Sequence, residues 1–348
     1  MNIFFLEFRD PLFSVIIFFT LIFIITFLSY WWARYRKRED YRYLNRFLRQ
    51  FHTPPAVAEL GAFISSGDVP QKIWLLLAHS YSKSGDYEKS IEIYNEILKQ
   101  IDQKNQKEIM FLLGKTYFKA GFLERSQHIF LEILRKHPRT PQVLEYLLLV
   151  YENMKDYKSA MDVLEPLDEL NQNILADKVY LKSLALLNDS SLPIDEKNSK
   201  LIEIYKESHQ ASYMIFEYLF RVNPKLAWAN FDSSKSDKMV DLLWNIKKDD
   251  LDLEIIEQNS YLRDLYSARG DINFSSKSNI FEFDALINID KKINATLSFE
   301  YICDNCKQVF PFSFYRCSSC HSIDTMSVEY SLTKDYHRDF SEENNSFQ

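Results

Sequence analysis

In 348 residues the chain has six glycines, no phosphate-cradling glycine loop, no dinucleotide fingerprint and no nucleophile elbow. Its formal net charge of -7 comes with a single basic cluster, which argues against a nucleic-acid groove. His52, His79, His128, His137 and His209 are scattered without metalloprotease pairing, so an enzyme is not expected.

Residues 1–12 are short and weakly charged, with Arg9 against Glu7 and Asp10, and are expected on the non-cytoplasmic side. Residues 13–32, Phe13 to Trp32, contain no charge, and twenty such residues predict one transmembrane helix. A signal peptide would place its positive charge before the apolar run and end in a small-residue cleavage site, neither of which is present. Tyr30, Trp31 and Trp32 stand where an interfacial belt belongs, and Arg34 to Arg49 bring seven positive charges against Glu39 and Asp40. The positive-inside rule then sets the remaining bulk of the chain in the cytoplasm as a single-pass protein. The basic segment, 33–52, is expected to touch anionic lipid headgroups, on the order of 1 kcal/mol per basic residue.

From 53 to 170 the apolar residues recur at helical spacing, and the pattern repeats. Trp74, Leu77, Ala78, Tyr81, Gly85, Ser90, Tyr94 and Ile97 align with Met110, Leu113, Gly114, Tyr117, Gly121, Ser126, Phe130 and Ile133. A third copy has Leu144, Leu147, Leu148, Tyr151, Lys155, Ala160, Leu164 and Leu167. Ala78, Gly114 and Leu148 are 36 and then 34 residues apart, the tetratricopeptide period. Small residues at Ala78, Gly114, Ser90, Ser126 and Ala160 let paired helices approach, while Tyr81, Tyr117, Tyr94 and Phe130 fill the space between pairs. Gly85 and Gly121 end first helices where a left-handed residue is cheapest, and Lys155 makes the third turn less ideal. Residues 171–266 read as degenerate helical repeats or a capping bundle, with helices at Val179–Leu187, Leu201–His209, Ser212–Arg221, Ser236–Trp244 and Leu253–Tyr266, and a polar loop at Asn188–Asn198. Stacked repeats of this kind bind other polypeptides on their concave surface.

Residues 267–297 read as a connecting segment with a β-type run at Ile280–Ile289, and 298–332 as a ribbon of three strands, Ser298–Ile302, Val309–Arg316 and Thr325–Leu332. All four cysteines fall there, as Cys303-x-x-Cys306, ten residues, then Cys317-x-x-Cys320. Two such turns each supply two sulfurs to one tetrahedral ion, zinc ahead of iron. The alternative, two disulfides, requires an oxidising compartment, which the expected cytoplasmic placement removes. Phe310, Phe312, Phe314 and Tyr315 supply the ribbon's small apolar mass, so metal binding would be its main folding term. His321 is a candidate substitute ligand, but four cysteines complete the shell. Residues 333–348 are polar and expected to be disordered. The expected fold class is an all-α tetratricopeptide solenoid with one N-terminal transmembrane helix and a small β module of zinc-ribbon or rubredoxin type.

This order of parts resembles the lipopolysaccharide assembly protein B family, on the strength of the first three repeats, the ten-residue spacer between cysteine pairs and the aromatics before Cys317. In that family glycine usually follows the second cysteine and proline the third, where this chain has Lys307 and Ser318, so some strain is expected at Lys307. The resemblance implies that Cys303, Cys306, Cys317 and Cys320 ligate metal in a rubredoxin-like domain. It implies an inner-membrane adaptor regulating lipopolysaccharide synthesis, which presents the deacetylase of lipid A synthesis to a membrane AAA+ protease. The rival readings are a general membrane-anchored scaffold for another cell-envelope complex and a rubredoxin-like electron carrier. Protein partners are expected in the repeat groove and membrane lipids at the basic collar; nucleic acid is not expected, and a homo-oligomer is left open.

Overall fold

The computed structural model describes residues 18–28, 31, 70–102, 105–289 and 294–334. The chain divides into two compact units, Met1–Met154 and Lys155–Gln348.

In the first unit residues 18–28 are helical, with Phe18, Phe19, Phe23 and Leu28 exposed. Among the described residues no helix is long and apolar enough to cross a membrane. The expected transmembrane helix at 13–32 is therefore corrected. The single-pass inner-membrane placement, the cytoplasmic orientation and the lipid contact of the basic collar rested on that helix and fall with it. The segments 1–12 and 33–52, and the tail from 335 onward, lie outside the described residues.

The repeat pattern yields helical hairpins: α1 (Gln71–Ser84) and α2 (Tyr87–Gln100), then α3 (Gln106–Lys119) and α4 (Leu123–Lys136), then α5 (Pro141–Asn153). Gly85 and Gly121 stop α1 and α3 at φ 86° and 80°, a conformation that costs glycine least. Trp74, Ala78, Ile93, Tyr94, Ile97, Ile109, Leu113 and Tyr117 form one buried cluster. The small residues do more than allow close approach. Ser90 Oγ donates to the Ala78 carbonyl at 2.8 Å, and Ser126 Oγ donates to the Gly114 carbonyl at the same distance one repeat later. Each buried hydroxyl thus stitches a second helix to its first.

The second unit continues with α6 (Tyr157–Glu169), α7 (Leu175–Asn188), α8 (Ile194–Ser208), α9 (Ser212–Val222), α10 (Pro224–Asn230), a 3-10 turn (Ser233–Met239), α11 (Val240–Trp244), α12 (Leu253–Gln258), α13 (Ser260–Arg269) and α14 (Phe281–Asn288). Three segments differ from the sequence reading. The polar loop at Asn188–Asn198 shrinks to 189–193, because Asp195 and Glu196 occupy the first turn of α8, where the helix dipole favours acids, and Lys197 Nζ reaches back to the Leu187 carbonyl at 3.2 Å. The single helix expected at Leu253–Tyr266 breaks at Asn259, whose side chain accepts the Leu262 N–H at 3.1 Å and starts a second helix. The β-type run Ile280–Ile289 is helical. Its alternation is broken by burial of Phe283 and Leu286, three apart, while Phe281 stays 75 % exposed.

The ribbon is an antiparallel sheet in the order β2-β1-β3, with β1 at Ala295–Cys303, β2 at Val309–Phe310 and β3 at Met326–Lys334. The register pairs Ala295 with Lys334 and Cys303 with Met326. Strand β2 ends after two residues, short of the expected Arg316, because Pro311 has no N–H to extend the ladder. The tetratricopeptide-like hairpins and the small terminal β module therefore stand, without the membrane helix.

Candidate metal centre

The four cysteines come together from two loops built alike. In the first loop, Cys303 N–H donates to the Gln308 carbonyl at 3.0 Å and Lys307 N–H to the Cys303 carbonyl at 2.7 Å. In the second, Cys317 N–H donates to the Ser322 carbonyl at 2.9 Å and His321 N–H to the Cys317 carbonyl at 2.8 Å. Each loop closes through a residue in the left-handed region after its second cysteine, Lys307 at φ 58° and His321 at φ 62°. The strain expected at Lys307 is present, and its twin at His321 was not anticipated.

All four Sγ atoms lie within 4.8 Å of one another. Cys303 and Cys320 are separated by 3.6 Å and Cys306 and Cys317 by 3.7 Å, close to the ~3.8 Å edge of a tetrahedron with metal–sulfur bonds of ~2.3 Å. The cysteines are free, and such separations are far from a disulfide bond of ~2.0 Å. This geometry replaces the compartment argument against disulfides, which had depended on the membrane helix. The donor set fits one metal ion, and its chemistry alone does not choose between zinc and iron.

Polar groups surround the sulfurs. Thr325 Oγ1 lies 3.3 Å from Cys303 Sγ, Ser322 Oγ lies 3.0 Å from Cys320 Sγ, and Asn305 Nδ2 donates to Cys320 Sγ at 3.5 Å. Burial acts to raise the Cys303 thiol, but hydrogen bonds from Thr325, the Cys306 N–H, Ser322 and the Asn305 N–H outweigh it and bring the group down to about 5. Burial pushes Cys317 up to about 12, with the Cys320 and Cys303 thiols adding to the rise. A bound cation would take all four sulfurs as thiolates.

The ribbon is seated on helices of its own unit through residues that carry no sequence motif. Tyr301 from β1 donates to Asp241 Oδ2 at 2.9 Å, an oxygen that also accepts from Tyr213 of α9. Arg316, next to Cys317, bonds Asp177 of α7 at 2.8 Å and the His321 carbonyl at 3.0 Å, with its guanidinium 4.9 Å from the Tyr180 ring centre. Tyr315 donates to Glu217, and Asp324 accepts the Ala211 N–H at 2.6 Å where α9 begins. Tyr330 stacks on Phe283 with ring centres 5.5 Å apart. Of the expected apolar residues, Phe310 and Phe314 pack edge to face at 4.8 Å, whereas Phe312 is 78 % exposed and lies outside that core.

Comparison with known proteins identifies the tetratricopeptide repeat over residues 71–102. That repeat is typically a non-catalytic protein–protein interaction scaffold. Similar solved structures include a thermophilic tetratricopeptide-repeat protein of Thermus thermophilus, at 16 % identity and TM-score 0.30, covering 56 % of this chain and 99 % of that one. Another is the C-terminal part of a repeat-containing protein of Cytophaga hutchinsonii, at 12 % identity and TM-score 0.27, covering 66 % of this chain and 98 % of that one. No curated protein matches the sequence. The expected kinship with the lipopolysaccharide assembly protein B family is corrected accordingly: the likeness found is to the repeat alone. The adaptor role, the deacetylase client and the membrane protease, which came only with that kinship, are withdrawn.

Proposed function

We propose that this chain is a protein–protein interaction scaffold of tetratricopeptide hairpins whose second unit is closed by a metal-folded ribbon. Cys303, Cys306, Cys317 and Cys320 would hold one zinc ion in a closed shell, with a structural role. The observation that carries this reading is the coupling of cluster to helices. Arg316 adjoins a ligand cysteine, bonds the backbone of the same cysteine loop and ion-pairs with Asp177 on a helix. Ordering the loop therefore orders the helical contact. A ribbon this small has too little apolar surface to fold alone, and zinc supplies about 10–16 kcal/mol in comparable peptides.

Elemental analysis of the purified full chain tests the metal. One zinc per chain and a colourless protein are expected; absence of metal from protein purified without chelator would refute the centre. An iron-loaded centre with reversible colour would favour electron transfer instead, a reading supported by the exposure of Cys306 at the ribbon surface. Crosslinking in cells tests the scaffold, which predicts captured protein partners.

A further inference from the structure

Where the ribbon meets α9 and the 3-10 turn Ser233–Met239, a cavity of about 210 Å³ stays open within the second unit. Its floor is apolar: Met214 of α9 and Met239 of the 3-10 turn are buried, and Phe314 and Met326 of the ribbon are half-buried. Thioethers adapt their shape to what packs against them, which suits a small apolar guest. The tyrosines in the wall are already engaged. Tyr213 donates to Asp241, Tyr315 donates to Glu217, and the Tyr180 ring faces the Arg316 guanidinium at 4.9 Å. They shape the cavity and leave its polar chemistry to other residues.

That chemistry is charge of both signs, placed on the solvent side. His209, Lys238 and Asp324 are exposed, and Lys235 is half-buried with its Nζ 6.0 Å from the Tyr205 ring centre. Among the described residues no acid lies within 4.0 Å of the Lys235 or Lys238 Nζ, so neither lysine pairs with Asp324 although all three line one cavity. Asp324 commits Oδ2 to the Ala211 N–H at 2.6 Å and keeps Oδ1 without a partner among the described residues. His209, Ala211 and Asp324 all hold left-handed backbone, at φ 51°, 55° and 53°, and such angles in residues other than glycine concentrate at ligand sites. The fold thus keeps opposite charges apart at the mouth of an apolar cavity.

We propose that this cavity binds a free amino acid with an apolar side chain. Its carboxylate faces Lys235, Lys238 and His209, its ammonium faces Asp324, and its side chain enters between Met214 and Met239. A simple anion would meet Asp324 and a simple cation would meet two lysines, whereas a zwitterion complements both ends of the mouth. The volume sets the size: about 210 Å³ equals the share of about seven waters at ~30 Å³ each, below the ~300 Å³ at which drug-sized pockets begin. That suits valine, leucine or methionine. The site is separate from the metal centre and does not depend on the scaffold reading.

The test is calorimetric titration of the full chain with valine, leucine and methionine in turn, then with two analogues of the tightest binder, one lacking the ammonium and one lacking the carboxylate. Saturable binding at a single site is expected, with each analogue held roughly tenfold or more weaker than the amino acid. Lys235→Gln combined with Lys238→Gln should weaken the amino acid by roughly tenfold or more without weakening the carboxylate-free analogue. Asp324→Asn keeps an amide oxygen for the Ala211 N–H, so the loop is retained. It should weaken the amino acid by roughly tenfold without weakening the ammonium-free analogue. Circular dichroism identical to the parent shows that each variant is folded. No saturable binding of any of the three amino acids, an analogue bound as tightly as its parent, or parental affinity in both variants overturns the proposal.

Discussion

Lys307 shows how one backbone angle constrains the metal loops. Its φ of 58° closes the first cysteine loop, and an L-residue there costs about 1 kcal/mol relative to glycine. Its ion pair with Asp304 at 3.5 Å is solvent-exposed and offsets little of this. Lys307→Gly should therefore raise the stability of the metal-loaded protein by about 1 kcal/mol in thermal unfolding, less the extra freedom of glycine in the unfolded chain. Asp241 is the second residue with a measurable signature. Burial holds its carboxyl above the usual carboxylate range, despite the opposing hydrogen bonds from Tyr213 and Tyr301. A carboxyl whose folded pKa exceeds its unfolded value contributes most when protonated, and that contribution is lost as pH rises through the folded value. Asp241→Asn removes this dependence. Urea unfolding at a series of pH values should show the variant gaining on the parent from the normal carboxylate range upward, then a constant difference above the raised pKa. A constant difference throughout would contradict the burial argument.

Helix pairs in the first unit are held at a separation fixed by small residues. A Cβ on Gly114 would lie 2.5 Å from Phe130 Cε1 and 2.9 Å from its Cζ, and Phe130 is fully buried in the same hairpin. Alanine improves helix propensity by about 1 kcal/mol, but displacing a buried ring costs about 1–3 kcal/mol, so the clash outweighs the gain. Gly114→Ala should destabilise the first unit by about 1–2 kcal/mol in chemical denaturation. These hairpins were legible in the sequence because the repeat encodes its own local contacts, with Ser90 twelve residues from Ala78 and Ser126 twelve from Gly114. Helix α14 was not legible. Phe281, Glu282, Phe283 and Asp284 alternate as a strand would, and what selects the helix is burial of Phe283 against Tyr261 and Tyr330, residues distant in sequence.

At the scale of the molecule, the ribbon and the helices of residues 155–289 fold as partners. Tyr301, Tyr315, Arg316 and Asp324 reach Asp241, Glu217, Asp177 and Ala211, on segments from 60 to 139 residues away. Loss of metal should therefore propagate beyond the ribbon. In Cys317→Ser, hydrogen exchange should accelerate in 295–334 and in the helical segments around Ala211 and Asp241, while α1 to α4 keep their parental protection. Acceleration confined to the ribbon would mean that docking contributes nothing to those helices.

The local chemistry was readable from the chain alone: a repeat whose small and aromatic residues meet within one hairpin, and two cysteine loops spaced to face each other. Both depend on neighbours a few to a few tens of residues apart, so spacing suffices. The apolar run at 13–32 misled because composition states what could lie in a bilayer, whereas among the described residues no helix is long and apolar enough to cross one. The seating of the ribbon was decided by tertiary structure, since Asp177, Glu217, Asp241 and Tyr330 form no motif and acquire their roles only when distant segments pack.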